Sequence, residues 1–454
     1  MTYRTLDPST GELIESFGFA TADEIEHALT STVATFETWR ATSHAERARL
    51  LERIAELLES RAEDLARIMA LEMGKPLAQG AGEAKKCALV CRYYAKHGER
   101  FLSPEPAESD GSEAAVRFEP LGPILAIMPW NFPLWQVFRH AAPAFAAGNT
   151  VVLKHAPGTP RCAMAIEELI RDAGAPPGLL HNLFLSNDQA ADVIRHQAIR
   201  GVTLTGSTRA GRVVGAIASA ALKPLVLELG GSDPFIVFAD ADLDRAVDVA
   251  IASRCLNSGQ SCIAAKRFLI DAAIFADFRE RFVERMRAKP WGDPRDPNTE
   301  IGSLAREDLR DALHDQVERM RQAGGRTLCG GAVPDRPGFF YPPTVVVDLP
   351  PHADIASEEL FGPVAPLFTF DDEDHAVTLA NATDYGLGAS LWTHDRARIE
   401  RLIPRLDTGS VFVNGLVKSD PRLPFGGIKD SGIGRELGRD GIREFVNIKT
   451  VWVA

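Results

Sequence analysis

The chain has 454 residues, 45% hydrophobic and 25% charged, the balance of a globular protein too long for one core, so two or three domains are expected. Its 50 basic and 62 acidic residues leave a formal charge of −12, which argues against a nucleic-acid or anionic-membrane surface, since both need clustered positive charge. No apolar run approaches the roughly 20 residues that span a bilayer, and the first residues lack a basic segment followed by an apolar one, so a cytoplasmic location is the expectation.

The six cysteines are too scattered for a disulfide framework. Cys87 and Cys91 would share a helix face, but no matching Cys or His pair completes a metal site, so they read as core and no metal is expected.

Thr21-Ala-Asp-Glu24 is a capping box opening a helix to about Trp39. One long amphipathic helix is expected over roughly 45–73, ended by Gly74 and Pro76. After Gly122 the pattern changes. Short β-rich runs at 124–128, 150–154, 202–205 and 224–229 alternate with helix candidates at 133–147, 160–173, 189–197 and 209–221. Apolar strands alternating with helices imply a parallel sheet covered on both faces, with ligands at the carboxyl ends of its strands. A second α/β series begins near Pro234 with PFIVFA and runs through a helix at 243–255, RFLID, a helix at 276–289, TVVVDL and SVFVNG. Gly230-Gly231 marks the boundary, and the tail NIKTVWVA reads as a strand that pairs with something, another subunit included.

Polar groups stand at the ends of these β runs. Asn131, in IMPWNFP, lies between prolines that restrict the backbone; its amide could stabilise an oxyanion or simply serve a turn. Lys154 closes VVLK, where a cation suits a ribose or phosphate, or is merely solvated. In TGSTRAG, Gly206 frees the backbone, and Ser207 with a helix N-terminus offers donors to a phosphate; this is neither a Walker loop nor the three-glycine dinucleotide fingerprint. Glu228, in LVLELGG, is a carboxylate whose pKa should rise on burial, a general-base candidate or a salt-bridged strand end. Cys262, in LNSGQSCIAAKRF, sits among small residues that would let a substrate carbon reach the sulfur. Alone it would read as inert; beside an amide and a carboxylate it reads as a nucleophile.

Taken in order, PWNFP, LVLELGG, NSGQSC, EELFGP and PFGGIKDSGIGRE resemble the NAD(P)-dependent aldehyde dehydrogenase superfamily, over nearly the whole chain and with the interval from Glu228 to Cys262 in register. The resemblance implies an α/β fold, with two doubly wound parallel-sheet domains and a small β oligomerisation domain. It assigns residues 1–109 and 125–230 to cofactor binding, 231–430 to catalysis, and 110–124 with 431–454 to oligomerisation, in a homodimer or homotetramer. It implies that Cys262 attacks the aldehyde, that the Asn131 side chain and the Cys262 N–H hold the oxyanion, and that Glu228 activates water. Cofactor positions map onto Trp130, Lys154, Gly206, Ser207, Gly211, Glu359 and Phe361. NAD-preferring members often carry a glutamate three residues after the lysine; here Pro157 stands there. A 2′-phosphate could then sit near Lys154 and His155, and NADP is expected to be accepted alongside or in preference to NAD.

For the substrate, Arg139 lies about two helical turns after Asn131 and is expected to face the aldehyde channel, beside Trp135. A guanidinium there needs an anionic partner, and a bidentate carboxylate fits. This resembles succinate-semialdehyde dehydrogenases of the shorter, bacterial kind, with Ser419 a second carboxylate ligand; glutarate semialdehyde should also be used. Where many of these enzymes have another arginine, this chain has Leu256, leaving Arg254 as the candidate substitute. Ala264 stands where redox-switched members carry a second cysteine, so no disulfide regulation is expected. The alternatives are a CoA-acylating enzyme, against which Glu228 speaks, an inactive scaffold, and a cysteine hydrolase, for which no histidine stands beside Cys262.

Overall fold

The computed structural model describes residues 2–454. Both N-terminal capping signals act as written: Thr21 and Glu24 form a reciprocal box opening the Ala22–Trp39 helix, and Ser43 with Glu46 does the same for His44–Ser60. The single helix expected over 45–73 is two, because Arg61 leaves helical geometry (φ −100°, ψ 12°) and a second helix, Ala62–Met73, restarts there. Gly74 ends it in the left-handed region, and a Cβ there would fall 2.6 Å from the Ser303 carbonyl oxygen. The long Leu77–Leu102 helix then buries Gly80, Glu83, Cys87 and Cys91 along one face. Both cysteines are core, as read.

Two sheets organise the rest. The first has the order Gly432–Ile433, Leu225–Glu228, Gly201–Thr205, Pro123–Ile127, Thr150–Lys154, Leu180–Asn182, parallel except for the short first strand. Its central strands are buried along their whole length, as sheets covered on both faces must be. Chain order reverses between Pro123–Ile127 and Gly201–Thr205, so the loops carrying Trp130-Asn131 and Gly206-Ser207 leave at the point where doubly wound sheets bind ligands. The second sheet contains seven strands, of which Pro234–Val237 pairs in parallel with both Arg267–Asp271 and Gly388–Trp392.

A third, three-stranded sheet joins Val446–Val453 to Glu113–Pro120 and Glu105–Pro106. The segment 431–454 therefore divides. Gly432–Ile433 pairs with Leu227 and Glu228 in the first sheet, and only Val446–Val453 enters the arm. Ile448 and Trp452 are exposed on that strand.

Candidate active site

Cys262 stands just before the Arg267–Asp271 strand, at the amino edge of the second sheet, facing loops from the carboxyl edge of the first. It is delivered by an unusual turn. After the Leu243–Cys255 helix, Asn257 (φ 56°), Ser258 (φ 56°) and Gly259 (φ 75°) are all left-handed. For the two non-glycines this costs of order 1–2 kcal/mol each. Hydrogen bonds impose it: the Asn257 N–H donates to Gln79 Oε1 (2.7 Å), Asn257 Nδ2 to the Asn131 carbonyl (2.7 Å), and the Gly302 N–H to Ser258 Oγ (2.9 Å). At Gly259 a Cβ would lie 2.3 Å from the carbonyl carbon of Gly362.

Two buried cations then collect the loop's carbonyls. Lys266 Nζ donates to the carbonyls of Cys262 (2.6 Å), Ser261 (2.9 Å) and Ala264 (3.2 Å). Arg254 donates to those of Gly259 (2.6 Å), Ala265 (3.0 Å) and Leu360 (3.2 Å). Arg254 is fully buried in this role, so it does not replace the substrate arginine missing at Leu256. Cys262 itself is only partly covered, and Cys255 lies against Met286, 3.6 Å away. Burial pushes the Cys262 thiol up to about 12, with Lys266 and Arg139 pulling the other way.

Asn131 meets this loop from the first sheet. Its Nδ2 donates to the Gln260 carbonyl (3.1 Å), and its own carbonyl accepts from Lys75 Nζ (3.0 Å). Lys75 is ion-paired with Glu83, and a Glu83 oxygen accepts the N–H groups of Leu134 and Trp135 (2.9 Å each). That buried pair fixes the turn holding Asn131 and opens the Trp135–Ala147 helix. Neither residue was singled out from the sequence. Their signal was Glu83's place on one helix face with Gly80 and Cys87.

Glu228 ends its strand in register with Thr205 and is 2% exposed; no protein donor reaches either carboxyl oxygen. Burial holds its pKa well above the usual carboxylate range; Arg139 opposes this and Glu436 adds to it. Arg139 is 1% exposed. Its guanidinium is paired with Glu436, donates to Thr205 Oγ1 (3.2 Å) and lies 4.8 Å from the Phe425 ring centre. The anionic partner that the sequence argument sought from a substrate is thus supplied by the protein, because Glu436 follows the short strand packed beside Glu228.

Among the cofactor candidates, Lys154 is buried at its strand end with no opposing carboxylate, and desolvation alone lowers its pKa to about 8. His155 does not join it as a cation. It is fully buried, its Nε2 donates to the Pro133 carbonyl (2.9 Å), its Nδ1 accepts the Ala156 N–H (2.8 Å), and burial lowers it to about 4. It is a neutral prop of the Asn131 turn. The Pro157 carbonyl accepts the Arg4 N–H (2.9 Å), and the position is partly exposed. Ser207 caps the Thr208–Ala220 helix with Gly206 open before it. Gly211 is buried, where a Cβ would lie 2.6 Å from Leu229, so it serves helix–sheet packing. Trp130 and Phe361 meet edge to face (5.7 Å between centroids), and Glu359 accepts the Gly231 N–H (3.0 Å) with Lys266 at 3.8 Å. An unpaired ammonium, an open helix N-terminus and an aromatic pair on one rim fit a dinucleotide.

Trp135 is buried at the start of its helix, and Ser419 is buried in the loop between Val413 and the final small strands. They are joined by a residue sequence reading did not select. Lys86 Nζ lies 3.9 Å from the Trp135 ring centre and donates to Ser419 Oγ (2.7 Å).

The Aldehyde dehydrogenase family profile matches residues 1–451. A succinate-semialdehyde dehydrogenase [NADP(+)] of Mycobacterium tuberculosis (strain H37Rv) is 50% identical over 457 residues, covering all of both chains. A probable succinate-semialdehyde dehydrogenase [NADP(+)] of a Synechocystis strain is 47% identical, again over all of both. The solved structure of a succinic semialdehyde dehydrogenase from Streptococcus pyogenes with NADP+ superposes with a TM-score of 0.97 at 37% identity, covering 99% of each chain.

Proposed function

Because the chain belongs to the aldehyde dehydrogenase family, we propose that it oxidises succinate semialdehyde to succinate with NADP+, and works as a homo-oligomer joined through the Val446–Val453 arm. The observation that carries the chemistry is the meeting of an uncrowded thiol, a buried amide and an unpaired buried carboxyl at the junction of the two sheets.

Cys262 Sγ forms a bond to the aldehyde carbon as its proton leaves, and Glu228 is the nearby group with spare acceptor oxygens. The carbonyl oxygen, now negative, is met by Asn131 Nδ2, which must turn from the Gln260 carbonyl, and by the Cys262 N–H. NADP+ held at this rim would supply the hydride acceptor, so that loss of hydride from that carbon leaves a thioester on Cys262. Once Glu228 has passed that first proton to solvent, it draws another from water as the water oxygen bonds to the acyl carbon and the C–S bond breaks; the leaving thiolate takes a proton back and the acid loses its own to solvent. The balance is aldehyde, NADP+ and water to carboxylate, NADPH and two protons. Lys154 would lie toward the adenosine ribose and its 2′-phosphate, Ser207 and the helix N-terminus toward the diphosphate, and Glu359 with Phe361 toward the nicotinamide ribose.

The similarity to enzymes named for succinate semialdehyde supports that substrate. The test is NADPH formation with succinate semialdehyde, glutarate semialdehyde, butanal and benzaldehyde, each with NADP+ and NAD+. Succinate semialdehyde with NADP+ should give the highest kcat/KM. A panel in which butanal matches it removes the substrate proposal.

A further inference from the structure

We propose that Lys266 is a positioning residue for the oxyanion step: its ammonium, seated on the Ser261 carbonyl, strengthens the Cys262 N–H as the donor that meets the developing negative oxygen. This rests on the acyl mechanism above and goes beyond it by naming what arms that N–H.

A peptide unit is one conjugated group. The Ser261 carbonyl and the Cys262 N–H belong to the same unit, so a positive charge on the oxygen draws electron density from the nitrogen and makes its proton a better donor. Lys266 Nζ stands 2.9 Å from the Ser261 oxygen. It also donates to the carbonyls of Cys262 (2.6 Å) and Ala264 (3.2 Å), so its three protons are all used and its place is fixed by the turn it serves. Gly231 leaves room for this arrangement. A Cβ there would lie 2.8 Å from the Cys262 carbonyl oxygen, and the turn would have to shift away from its ammonium.

Holding the turn does not by itself call for a charge. Arg254 already takes the carbonyls of Gly259, Ala265 and Leu360. Ser253 Oγ accepts the Ala265 N–H (3.0 Å), and the Ala264 N–H closes on the Ser261 carbonyl (3.3 Å). Lys266 is nevertheless 0% exposed, and an ammonium taken that far from water costs far more than a hydroxyl or amide that would hold the same carbonyls. Burial works to lower its pKa; Glu359, 3.8 Å away, and the buried Asp233 oppose this and keep it charged. The protein thus places a charge, with carboxylates to sustain it, on the very peptide whose N–H the mechanism uses.

Two reactions of the same sulfur separate this role from a structural one. Attack on an aldehyde builds an oxyanion. Alkylation by iodoacetamide displaces iodide at a saturated carbon and builds none, yet it needs the same thiolate. The experiment measures single-turnover NADPH formation from succinate semialdehyde, with enzyme in excess, and alkylation of Cys262 followed by peptide mass. Both are run at one pH with NADP+ present, in the parent, Lys266→Met and Lys266→Gln proteins. Removing an oxyanion donor outright costs about a hundred- to a thousandfold in rate, so removing the charge behind one should slow NADPH formation by about ten- to a hundredfold. Loss of a cation near the sulfur also slows alkylation by raising the thiol pKa, so the ratio of the two rates is the readout. That ratio should fall at least about tenfold in Lys266→Met. Lys266→Gln, which keeps N–H donors without the charge, should fall between Lys266→Met and the parent. Should Lys266→Met fail to fold by circular dichroism, the Lys266→Gln ratio decides alone, and a value equal to the parent's overturns the role. Both rates falling together, as a purely structural or thiolate-tuning lysine would give, or both staying at the parent's values, also overturns it and leaves the acyl mechanism standing. A parent that forms no NADPH from any aldehyde overturns the acyl mechanism and the role of Lys266 with it.

Discussion

Replacing Arg139 with methionine separates an internal ion pair from a substrate contact. Arg139 is 1% exposed and Glu436 4% exposed, so the substitution would leave a carboxylate in the interior with no cation against it. Breaking a buried pair on one side costs about 3–5 kcal/mol, and the lost donor to Thr205 adds to it. Urea unfolding followed by tryptophan fluorescence should show that loss in Arg139→Met. Much of it should return in Arg139→Met/Glu436→Gln, where the stranded charge is gone, giving a coupling of at least about 1 kcal/mol in a double-mutant cycle. Activity of the double variant should fall for succinate semialdehyde and butanal alike, because the guanidinium also acts on Glu228 and Cys262. A single variant as stable as the parent would refute the reasoning. So would a KM increase confined to succinate semialdehyde, which would return Arg139 to the substrate.

Gly259→Ala should cripple the enzyme more than it unfolds it. A left-handed alanine costs about 1–2 kcal/mol, and its Cβ would meet the Gly362 backbone, forcing the turn that presents Cys262 to shift. A displacement of about 1 Å at a reacting atom can cost about a hundredfold in rate, so kcat/KM should drop by at least that factor with the protein still folded by circular dichroism. In the ligand-free enzyme the Cys262 thiol, raised to about 12 by burial, holds its proton at neutral pH. Its alkylation by iodoacetamide should therefore rise about tenfold per unit between about pH 7 and 9, whereas a plateau near neutrality would show that the bare site already holds a thiolate.

The alternation of apolar runs and helices was enough to locate both sheets, since a strand buried on both faces has no freedom to be polar. Thr150–Lys154, Arg267–Asp271 and the Leu243–Cys255 helix were read to the residue. The break at Arg61 was not legible, because no glycine or proline marks it and apolar spacing continues through. At the site, Asn131, Glu228 and Cys262 were legible through local anomalies: an amide among prolines, a carboxylate on an apolar strand, a thiol among small residues. The pairs Lys75–Glu83 and Arg139–Glu436 were not, since each joins distant segments and a charge in a sequence carries no sign of its partner. His155 misled for the same reason: next to Lys154 it looks basic, and only the Pro133 carbonyl and Ala156 N–H show it neutral.

The acyl-enzyme itself can be weighed. Glu228→Gln keeps the shape of a side chain that makes no hydrogen bond, so folding should be undisturbed. Mixed with succinate semialdehyde and NADP+, this variant should release one NADPH per active site, more slowly than the parent because Glu228 also accepts the Cys262 proton, and then stall. Intact-mass and peptide spectra should show a single succinyl group on Cys262 that hydroxylamine removes. Steady turnover at the parent rate, or a burst with Cys262 unmodified, would contradict a mechanism in which sulfur carries the acyl group and Glu228 brings the water.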